Sequence, residues 1–490
     1  MSARLSGPDG RAPRIALLVF RDADTDSRVL RSATALREAG AEVLVIGLAP
    51  TGSGLEPGEA TVAGVPLHRT TDLDLVRTFA TAAKIWRRLR GRDPLTGAPV
   101  AKARPAPARD AIPADIPAGT PADPPADAAR ASGTARPQAR QDRPKTVSRL
   151  PGDWRELYQR GFRTARLVRY WAGAVVTARR FGADVIHAND GNTLAPALLL
   201  RALEGTRIVY DSHELWLRRN VGPRLVAPVV EALIERAGVR RADAVLTVSP
   251  SIVRWLQEHY RLAEPPLLVR NVPLWTGALP DPARGRLREL AGLGPDDKVI
   301  SYCGGVTRGR GLEETVDALA LLPDDVHLVM LGFGSRDYVQ GLLARAAFAG
   351  LAERVHLVGP VPSEQVPQSL ADADLAIVYV RPIVLSYTFS LPNKLFESIH
   401  AGLPIVAADL PDVAALVQEH GVGTVFAVPE GTEGEDGADP ARLAGALAQV
   451  LGDPDPYRRH TQALAPLLDW RHEAERLVEG HARAVARCRT

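Results

Sequence analysis

Short apolar runs alternate with stretches of helical spacing along the first part of the chain. The run at residues 14–20 is almost entirely apolar and predicts a buried strand. Val29, Ala33 and Leu36 then recur at helical spacing, and residues 42–47 form the next apolar run. A strand, a helix and a strand in this order predict a β-α-β unit of a parallel sheet. Later runs predict further strands at residues 184–187, 207–211 and 243–248.

The same alternation starts again in the second half of the chain. The fold class is therefore α/β, with two doubly wound, Rossmann-like domains that face a cleft. We expect the first domain at residues 1–272, the second at residues 273–455, and C-terminal helices at residues 456–490 that pack back toward the first domain. The strands of the second series are predicted at residues 298–303, 326–331, 355–358, 374–380 and 404–407.

The alternation vanishes between Asp93 and Arg149. This segment is rich in Pro and Ala and contains almost no large apolar side chain. Such a sequence cannot bury enough apolar surface to offset the entropy cost of ordering it. It predicts a disordered insertion in the first domain, and the alternative interpretation is a Pro-rich docking segment.

Composition narrows the class of protein. The 490 residues suit two domains of ordinary size, and 46% apolar with 24% charged residues is typical of globular proteins. The net charge of +3 excludes a globally basic nucleic-acid-binding protein, so we expect no nucleic-acid partner. Two cysteines exclude a disulfide framework and a multi-cysteine zinc site, and they favour a reducing cytoplasm. No apolar stretch approaches the ~20 residues that span a bilayer, and the N-terminus lacks the apolar core of a signal peptide.

One segment of the second half combines a helix start with a pair of charged residues. Pro392 suits the first turn of a helix, whose free N–H groups favour an anion such as phosphate. Lys394 adds a positive charge there. Glu397 lies one turn further on, where a carboxylate would repel phosphate but could accept hydrogen bonds from sugar or ribose hydroxyls. The alternative is that Lys394 and Glu397 form an ordinary i,i+3 helix pair.

Two other segments place polar residues after predicted strands. The glycine-rich turn at residues 304–311 would let backbone amides approach an anion at Gly305, with Arg308 and Arg310 to neutralise its charge. Its glycines could equally serve turn geometry alone. In the first half, His213 and Glu214 follow one strand and Asp190 follows another, so all three border the expected cleft. A single histidine of this kind is often structural rather than catalytic.

The order of these segments resembles that of glycosyltransferase family 4, whose fold is the two-domain GT-B architecture. The resemblance covers nearly the whole chain outside the insertion. The motifs that carry it are Asp26-Ser27-Arg28-Val29, Tyr210-Asp211-Ser212-His213-Glu214, Ala242-Asp243 with Val248-Ser249, Arg270-Asn271-Val272-Pro273, Arg310-Gly311-Leu312, and Leu391-Pro392-Asn393-Lys394-Leu395-Phe396-Glu397.

The resemblance implies a retaining sugar transfer from a UDP- or GDP-activated sugar, without a cofactor and without a bound metal. It assigns Glu397 to the ribose, with Ser390, Leu391 and Asn393 along the ribose and sugar. It assigns Arg310, with Arg308, Lys394 and Gly305, to the donor diphosphate. The catalytic residues that it implies are His213, Glu214 and Asp190.

The chain departs from the family pattern at three places. The first glutamate of the Glu-x7-Glu motif is Phe389, and the basic residue expected five positions before Arg310 is Gly305. Residues 21–27 replace the glycine-rich loop expected after the first strand. A subgroup of the family with Pro-Asn-Lys shows the first change. Arg308 or Lys394 could supply the missing charge.

The leading hypothesis is a hexosyltransferase-like enzyme that acts on an acceptor sugar, a lipid-linked glycan or a small molecule, in cell-surface polysaccharide or glycolipid synthesis. The alternatives are a sugar-nucleotide epimerase and a non-catalytic GT-B binding partner. Basic stretches at residues 77–92 and 154–180 could rest on an anionic membrane surface, which would make a cytoplasmic protein peripheral to the inner face of the membrane. If the second stretch is helical, one stripe holds Arg155, Arg163, Arg166 and Arg169, and another holds Leu157, Val168, Trp171 and Val175. The alternative is a packed helix with a solvated basic face.

Overall fold

The computed structural model of the protein describes residues 4–7, 9–24, 26–73, 154–219, 227–429 and 437–488. In the helices that begin at residues 154 and 227, side chains are described from residues 160 and 228 onward. The chain divides into two compact units, residues 1–72 with 163–490, and residues 73–162. Both sheets lie in the first unit. The predicted insertion at residues 93–149 lies outside the described residues.

The first sheet has eight strands in the order β3-β4-β2-β1-β5-β6-β7-β8. Neighbouring strands are parallel, except that β3 runs antiparallel to β4. The strands are β1 (Arg14–Leu18), β2 (Glu42–Ala49), β3 (Gly58–Val62), β4 (Val65–Thr71), β5 (Val185–Asn189), β6 (Arg207–Ser212), β7 (Ala244–Thr247) and β8 (Leu267–Leu268). We call the part built on this sheet the first domain.

The second sheet has six parallel strands in the order β11-β10-β9-β12-β13-β14. The strands are β9 (Lys298–Cys303), β10 (Val326–Leu331), β11 (Val355–Val358), β12 (Leu375–Val378), β13 (Ile405–Ala408) and β14 (Gly423–Phe426). The part built on this sheet is the second domain. Two parallel-sheet α/β domains confirm the predicted fold class.

Helices cover the faces of both sheets, as parallel strands require. Those of the first part of the chain are α1 (Ser27–Glu38), α2 (Trp154–Phe181), α3 (Leu194–Glu204), α4 (Ala227–Arg241) and α5 (Pro250–Tyr260). The others are α6 (Leu287–Ala291), α7 (Leu312–Leu319), α8 (Arg336–Phe348), α9 (Val366–Leu370), α10 (Leu385–Thr388), α11 (Asn393–His400), α12 (Pro411–His420), α13 (Pro440–Gly452), α14 (Asp455–Leu464) and α15 (Trp470–Val485).

Alternate residues of β1 show how the first sheet builds two cores. Ile15 and Leu17 join the core that includes α1 and the C-terminal helix α15. Ala16 and Leu18 join the opposite core, which α2, α3, α4 and α5 cover. Because successive side chains of a strand point to opposite faces, one apolar run serves both cores. Helix α15 therefore contributes its buried face to the first domain.

Helix α1 forms where the apolar spacing of the sequence predicts a helix. Its apolar residues Val29, Ala33 and Leu36 are fully buried. The Asp26 side chain caps the helix by accepting a hydrogen bond from the Val29 N–H. The polar turn between β1 and this helix therefore ends at a defined cap, which fixes the helix start beside the carboxyl end of β1.

Helix α2 contains the basic and apolar stripes that the sequence predicted to face a membrane. Trp171 and Val175 pack against the core of the first domain, whereas Val168 of the same predicted stripe is 50% exposed. The side chains of residues 155 and 157, and the whole basic stretch at residues 77–92, lie outside the described residues. Arg166 forms an ion pair with Asp72 at 2.6 Å and lies over the Phe20 ring. For residues 163–181 these contacts favour the packed-helix alternative. Among the helices that the structure describes, none combines the length and the apolar composition needed to cross a membrane.

Candidate functional site

His213 stands directly beyond the carboxyl end of β6, between two carboxylates. Its Nε2 atom is 3.2 Å from Asp211 Oδ2, and its Nδ1 atom is 3.6 Å from Asp190 Oδ2. The His213 backbone N–H also donates to Asp190 Oδ1 at 3.1 Å. With a carboxylate beside each ring nitrogen, the geometry favours the doubly protonated imidazolium.

Electrostatics agree with this protonation state. Burial lowers the pKa of His213, but Asp190 and Asp211 outweigh burial, so its pKa is raised above the ordinary histidine value. The carboxylates on either side favour the charged ring, which suits His213 to charge stabilisation and to positioning.

Asp190 adopts a backbone conformation that is costly for a residue with a Cβ atom. Its φ is 60° and its ψ is 167°. The Asp190 N–H donates to the Asp211 carbonyl at 2.9 Å, which holds this conformation in place. Glu214 lies nearby, 3.6 Å from Arg219. Burial and then Asp190 raise the pKa of Glu214, while Arg219 opposes them. The structure thus brings the three predicted first-domain residues together.

The sequence analysis missed the ion pair beneath these residues. Arg28 of α1 donates to both carboxylate oxygens of Asp211, at 3.0 Å and 2.8 Å, and both side chains are buried. Burial raises the pKa of Asp211, but Arg28 and His213 outweigh it, so the pKa lies well below the usual range. Both residues stand in motifs that carry the family resemblance, but their pairing joins positions far apart in the chain.

In the second domain, Lys394 is a buried cation to which the described residues offer no hydrogen-bond partner. It lies in the first turn of α11, and its exposed fraction is 7%. Its Nζ atom is 3.6 Å from the centre of the Tyr302 ring and finds no acceptor among the described residues. Burial and then Arg310 lower the pKa of Lys394 to about 7. A buried ammonium in this state favours an incoming anion.

Glu397 lies on the same helix and is held from the second sheet. The Cys303 thiol, at the end of β9, donates to Glu397 Oε2 at 3.4 Å. Burial raises the pKa of Glu397, and Cys303, Arg31 and Lys394 oppose this. Lys394 Nζ has no bond to this carboxylate within the described structure. The alternative of an ordinary surface i,i+3 pair is therefore wrong.

Two glycines of the glycine-rich turn differ in the space that surrounds them. Gly311 has a φ of +66°, and a Cβ atom there would come within 1.9 Å of the Tyr379 ring. Gly305 is different, because a Cβ atom built on it meets nothing within 4 Å. Its carbonyl accepts a hydrogen bond from the Tyr302 hydroxyl at 2.7 Å. The turn thus requires glycine at position 311, whereas position 305 has room for a side chain.

The two arginines of this turn differ. Arg310 is half-buried, 5.5 Å from the centre of the Tyr387 ring, and its charge acts on Lys394. Arg308 is exposed. The structure therefore brings Arg310, Lys394 and Glu397 together, and leaves Arg308 at the solvent side of the turn.

The residues before α11 make local and interdomain contacts. The Ser390 hydroxyl donates to the Tyr387 carbonyl at 2.8 Å, and Leu391 is buried. Asn393 Oδ1 accepts from Asn271 Nδ2 at 2.8 Å. These three predicted ribose and sugar residues therefore adjoin Lys394 in the chain, while the side chains of Ser390 and Asn393 already have protein partners.

Phe389 explains one departure from the family pattern. Its ring packs against the core of the first domain, and its carbonyl accepts a hydrogen bond from the Ser249 hydroxyl at 2.7 Å. The Leu215 N–H also donates to the Ser386 hydroxyl at 3.1 Å. An apolar side chain at position 389 thus joins the two domains, and the segment of His213 adjoins the segment that leads to α11.

Solved structures share this architecture. Sucrose-phosphate synthase from Thermosynechococcus elongatus superposes with a TM-score of 0.63 at 17% identity, over 95% of this chain and 98% of that one. HepE from Anabaena, solved with UDP and glucose, gives 0.59 at 17% identity over the same shares of the two chains. Identities this low establish the fold alone.

Family models add sequence evidence. Residues 297–453 match the model for glycosyl transferases group 1, and residues 114–275 match the glycosyl transferase 4-like domain. The chain is a GT-B protein related to the GT4-like glycosyltransferases.

Among curated relatives of this GT-B protein is D-inositol 3-phosphate glycosyltransferase of Nocardia farcinica. The two are 30% identical over 213 residues, which are 41% of this chain and 44% of the relative. The match thus spans less than half of the relative's length.

The described residues of this GT-B protein hold no group of three or more His, Cys, Asp or Glu side chains placed to bind a metal ion. The expectation that it uses no metal stays a prediction.

Arg28→Met should destabilise the first domain, because it leaves the Asp211 carboxylate buried without its main cation. Breaking a buried pair from one side costs roughly 3–5 kcal/mol, and we expect a loss of this order in urea unfolding. The control is Arg345→Met, whose partner Asp317 lies at the surface; that change should cost about 1 kcal/mol or less. Equal losses for the two variants would contradict an anchoring role for the Arg28–Asp211 pair.

Proposed function

We propose that this GT-B protein is a retaining glycosyltransferase that moves a sugar from a UDP- or GDP-sugar to an acceptor. The observation that carries the proposal is the buried, unpartnered Lys394 ammonium, placed between a glycine-rich turn and Glu397. The names of relatives point the same way, since the Nocardia farcinica protein is a glycosyltransferase and the HepE crystals contain UDP.

The diphosphate would occupy the place where Lys394 and Arg310 meet. The positive end of α11 and the backbone N–H groups of the glycine-rich turn add partial charge there. As the glycosidic bond breaks, negative charge develops on the departing diphosphate. Preorganised cations and N–H groups stabilise such charge strongly where water is excluded. Binding an anion also relieves the cost of the buried Lys394 charge.

Glu397 would bind the ribose. Its carboxylate is the nearest acidic acceptor to Lys394 on α11, and it stands one helical turn away. Cys303 holds one of its oxygens, which leaves the other available to ribose hydroxyls. A carboxylate here repels a phosphate, so the nucleoside and the diphosphate would bind in one defined direction.

The first domain would act on the transferred sugar through charge. The His213 ring lies between the Asp190 and Asp211 carboxylates, which favour its charged form. In that form it would donate a hydrogen bond and stabilise negative charge near the sugar. Glu214, with its raised pKa, is the group nearby that can exchange a proton. The proposed catalysis is chiefly electrostatic and assigns no step to a metal.

The acceptor is proposed more broadly, as a sugar, a lipid-linked glycan or a small molecule in cell-surface polysaccharide or glycolipid synthesis. A cytoplasmic location, with contact to an anionic membrane surface, belongs to the same proposal. An epimerase and a non-catalytic binding partner are the alternatives that the first experiment below separates from a transferase.

The first experiment is a panel of UDP- and GDP-sugars with acceptor mixtures, read out as released UDP or GDP. We expect release with at least one donor and acceptor, and a product that keeps the anomeric configuration of the donor. His213→Ala should lower turnover while leaving the Kd for the nucleotide unchanged, because it acts from the opposite domain. Sugar inversion without an acceptor would indicate an epimerase, and tight binding without turnover a non-catalytic partner.

Glu397→Gln and Lys394→Ala should separate the two halves of the donor. Losing a charge-assisted hydrogen bond costs roughly 1.5–3 kcal/mol, or about one to two orders of magnitude in affinity. Glu397→Gln should weaken uridine or guanosine and the matching nucleotide alike. Lys394→Ala should weaken the nucleotide and spare the nucleoside. Titration calorimetry of both ligands checks this, and unchanged binding to Glu397→Gln would refute the site assignment.

Donor binding should take up a proton through Lys394. Its pKa of about 7 leaves it mostly neutral at pH 8 in the free protein, and a bound diphosphate favours the charged form. The affinity should therefore fall by up to ~10-fold per pH unit above pH 7. Both phosphates of a nucleotide sugar stay ionised in this range, so they add no proton of their own. Calorimetry in buffers of different ionisation enthalpy should detect nearly one proton at pH 8, and none with Lys394→Met.

A further inference from the structure

Arg31 connects the first domain to the segment between the two sheets. It lies one turn after Arg28 on α1, and its guanidinium donates to the Val272 carbonyl and to Asn271 Oδ1. Its Nε atom donates to the Ser27 carbonyl at 3.1 Å. The guanidinium carbon is 5.2 Å from the centre of the Trp470 ring. These contacts fix the side chain in one position.

The connection continues into the proposed donor helix. Asn271 receives the Arg31 hydrogen bond on its carbonyl oxygen and donates its amide to Asn393 Oδ1 at 2.8 Å. Asn393 is the first residue of α11, directly before Lys394. A chain of polar contacts thus runs from α1, through the segment between the domains, to the first turn of the helix that carries Glu397.

Arg31 also interacts electrostatically with Glu397. The groups that act on Glu397 are the Cys303 thiol of β9, Lys394 of its own helix, and Arg31 of α1. Burial and then Arg28 lower the pKa of Arg31 to about 10, so it stays cationic at neutral pH, with Glu397 and Asp26 favouring the charge. Lys394 loses much of its charge above pH 7. Of these groups, Arg31 therefore keeps its positive charge at neutral and higher pH when the donor site is empty.

We propose that Arg31 is a positioning residue for the nucleoside half of the donor: through Asn271 and Asn393 it orients α11 and Glu397, and its guanidinium adds a positive charge from the first domain. The inference rests on the proposed function, because it takes Glu397 as the ribose ligand. It adds that the first domain, and not the second alone, determines nucleoside affinity.

The test uses the full chain with uridine, guanosine, UDP and GDP as probes. Arg31→Met should weaken binding of the nucleoside and nucleotide that the parent binds by about tenfold or more. Since Glu397 must be ionised to bind ribose, and loss of Arg31 raises its pKa, the fall of nucleoside affinity on acidification should begin at higher pH. Arg31→Lys should restore the pH profile, because it keeps the charge. Arg37→Met on the same helix is the control and should change neither quantity.

Two further variants separate the outcomes. Asn271→Ala removes the hydrogen bonds that join Arg31 to Asn393 and keeps the Arg31 charge, so it should weaken nucleoside binding without moving its pH profile. It also tests the orienting role if Arg31→Met does not fold. In a Glu397→Gln background, Arg31→Met should no longer move the pH profile, because the carboxylate on which its charge acts is gone. If Glu397→Gln itself binds as the parent does, the proposed function fails at its site. If Glu397→Gln binds weakly but Arg31→Met leaves the pH profile in place, only the role of Arg31 is overturned.

Discussion

The buried carboxylate of Asp211 is the group on which the first-domain half of the site depends. It receives two hydrogen bonds from Arg28, lies 3.2 Å from His213, and lies 3.5 Å from His187 of β5. His187 in turn contacts His481 of α15 at 3.1 Å. A fully buried charge must be compensated on all sides, so this one carboxylate fixes α1, two strands and the C-terminal helix relative to each other.

The two cations of the site are in opposite electrostatic situations. His213 already has its carboxylate partners, and its pKa is raised. Lys394 is buried, no residue in the described part of the chain accepts a hydrogen bond from it, and its pKa is lowered to about 7. A paired cation is a fixed part of the protein, whereas an unpaired buried cation gains most from a ligand that brings negative charge. This contrast is the physical basis for assigning anion binding to the second domain and positioning to the first.

The contacts of Phe389 and Gly305 give structural meaning to two departures from the family pattern. Phe389, in place of a glutamate, packs into the core of the first domain, so the position serves association of the domains. Gly305, in place of a basic residue, leaves open space on the exposed side of the turn. That Lys394 or Arg308 supplies the charge missing at position 305 stays a prediction.

The sequence by itself determined the local features. Apolar runs predicted most strands of both sheets. Pro392 predicted the start of a helix, which the structure begins at Asn393. The spacing of Lys394 and Glu397 placed both charged residues within the first turns of that helix. The partners of these residues could not be predicted. Arg28 meets Asp211 183 positions away, and Arg31 meets Asn271 240 positions away. Periodicity reports only neighbours within a turn or a strand, whereas these contacts depend on the order of strands in the sheet, with β5 and β6 inserted beside β1. The burial of Lys394 against the Tyr302 ring, and the contact of Glu397 with the Cys303 thiol, likewise exist only after β9 and α11 have packed together.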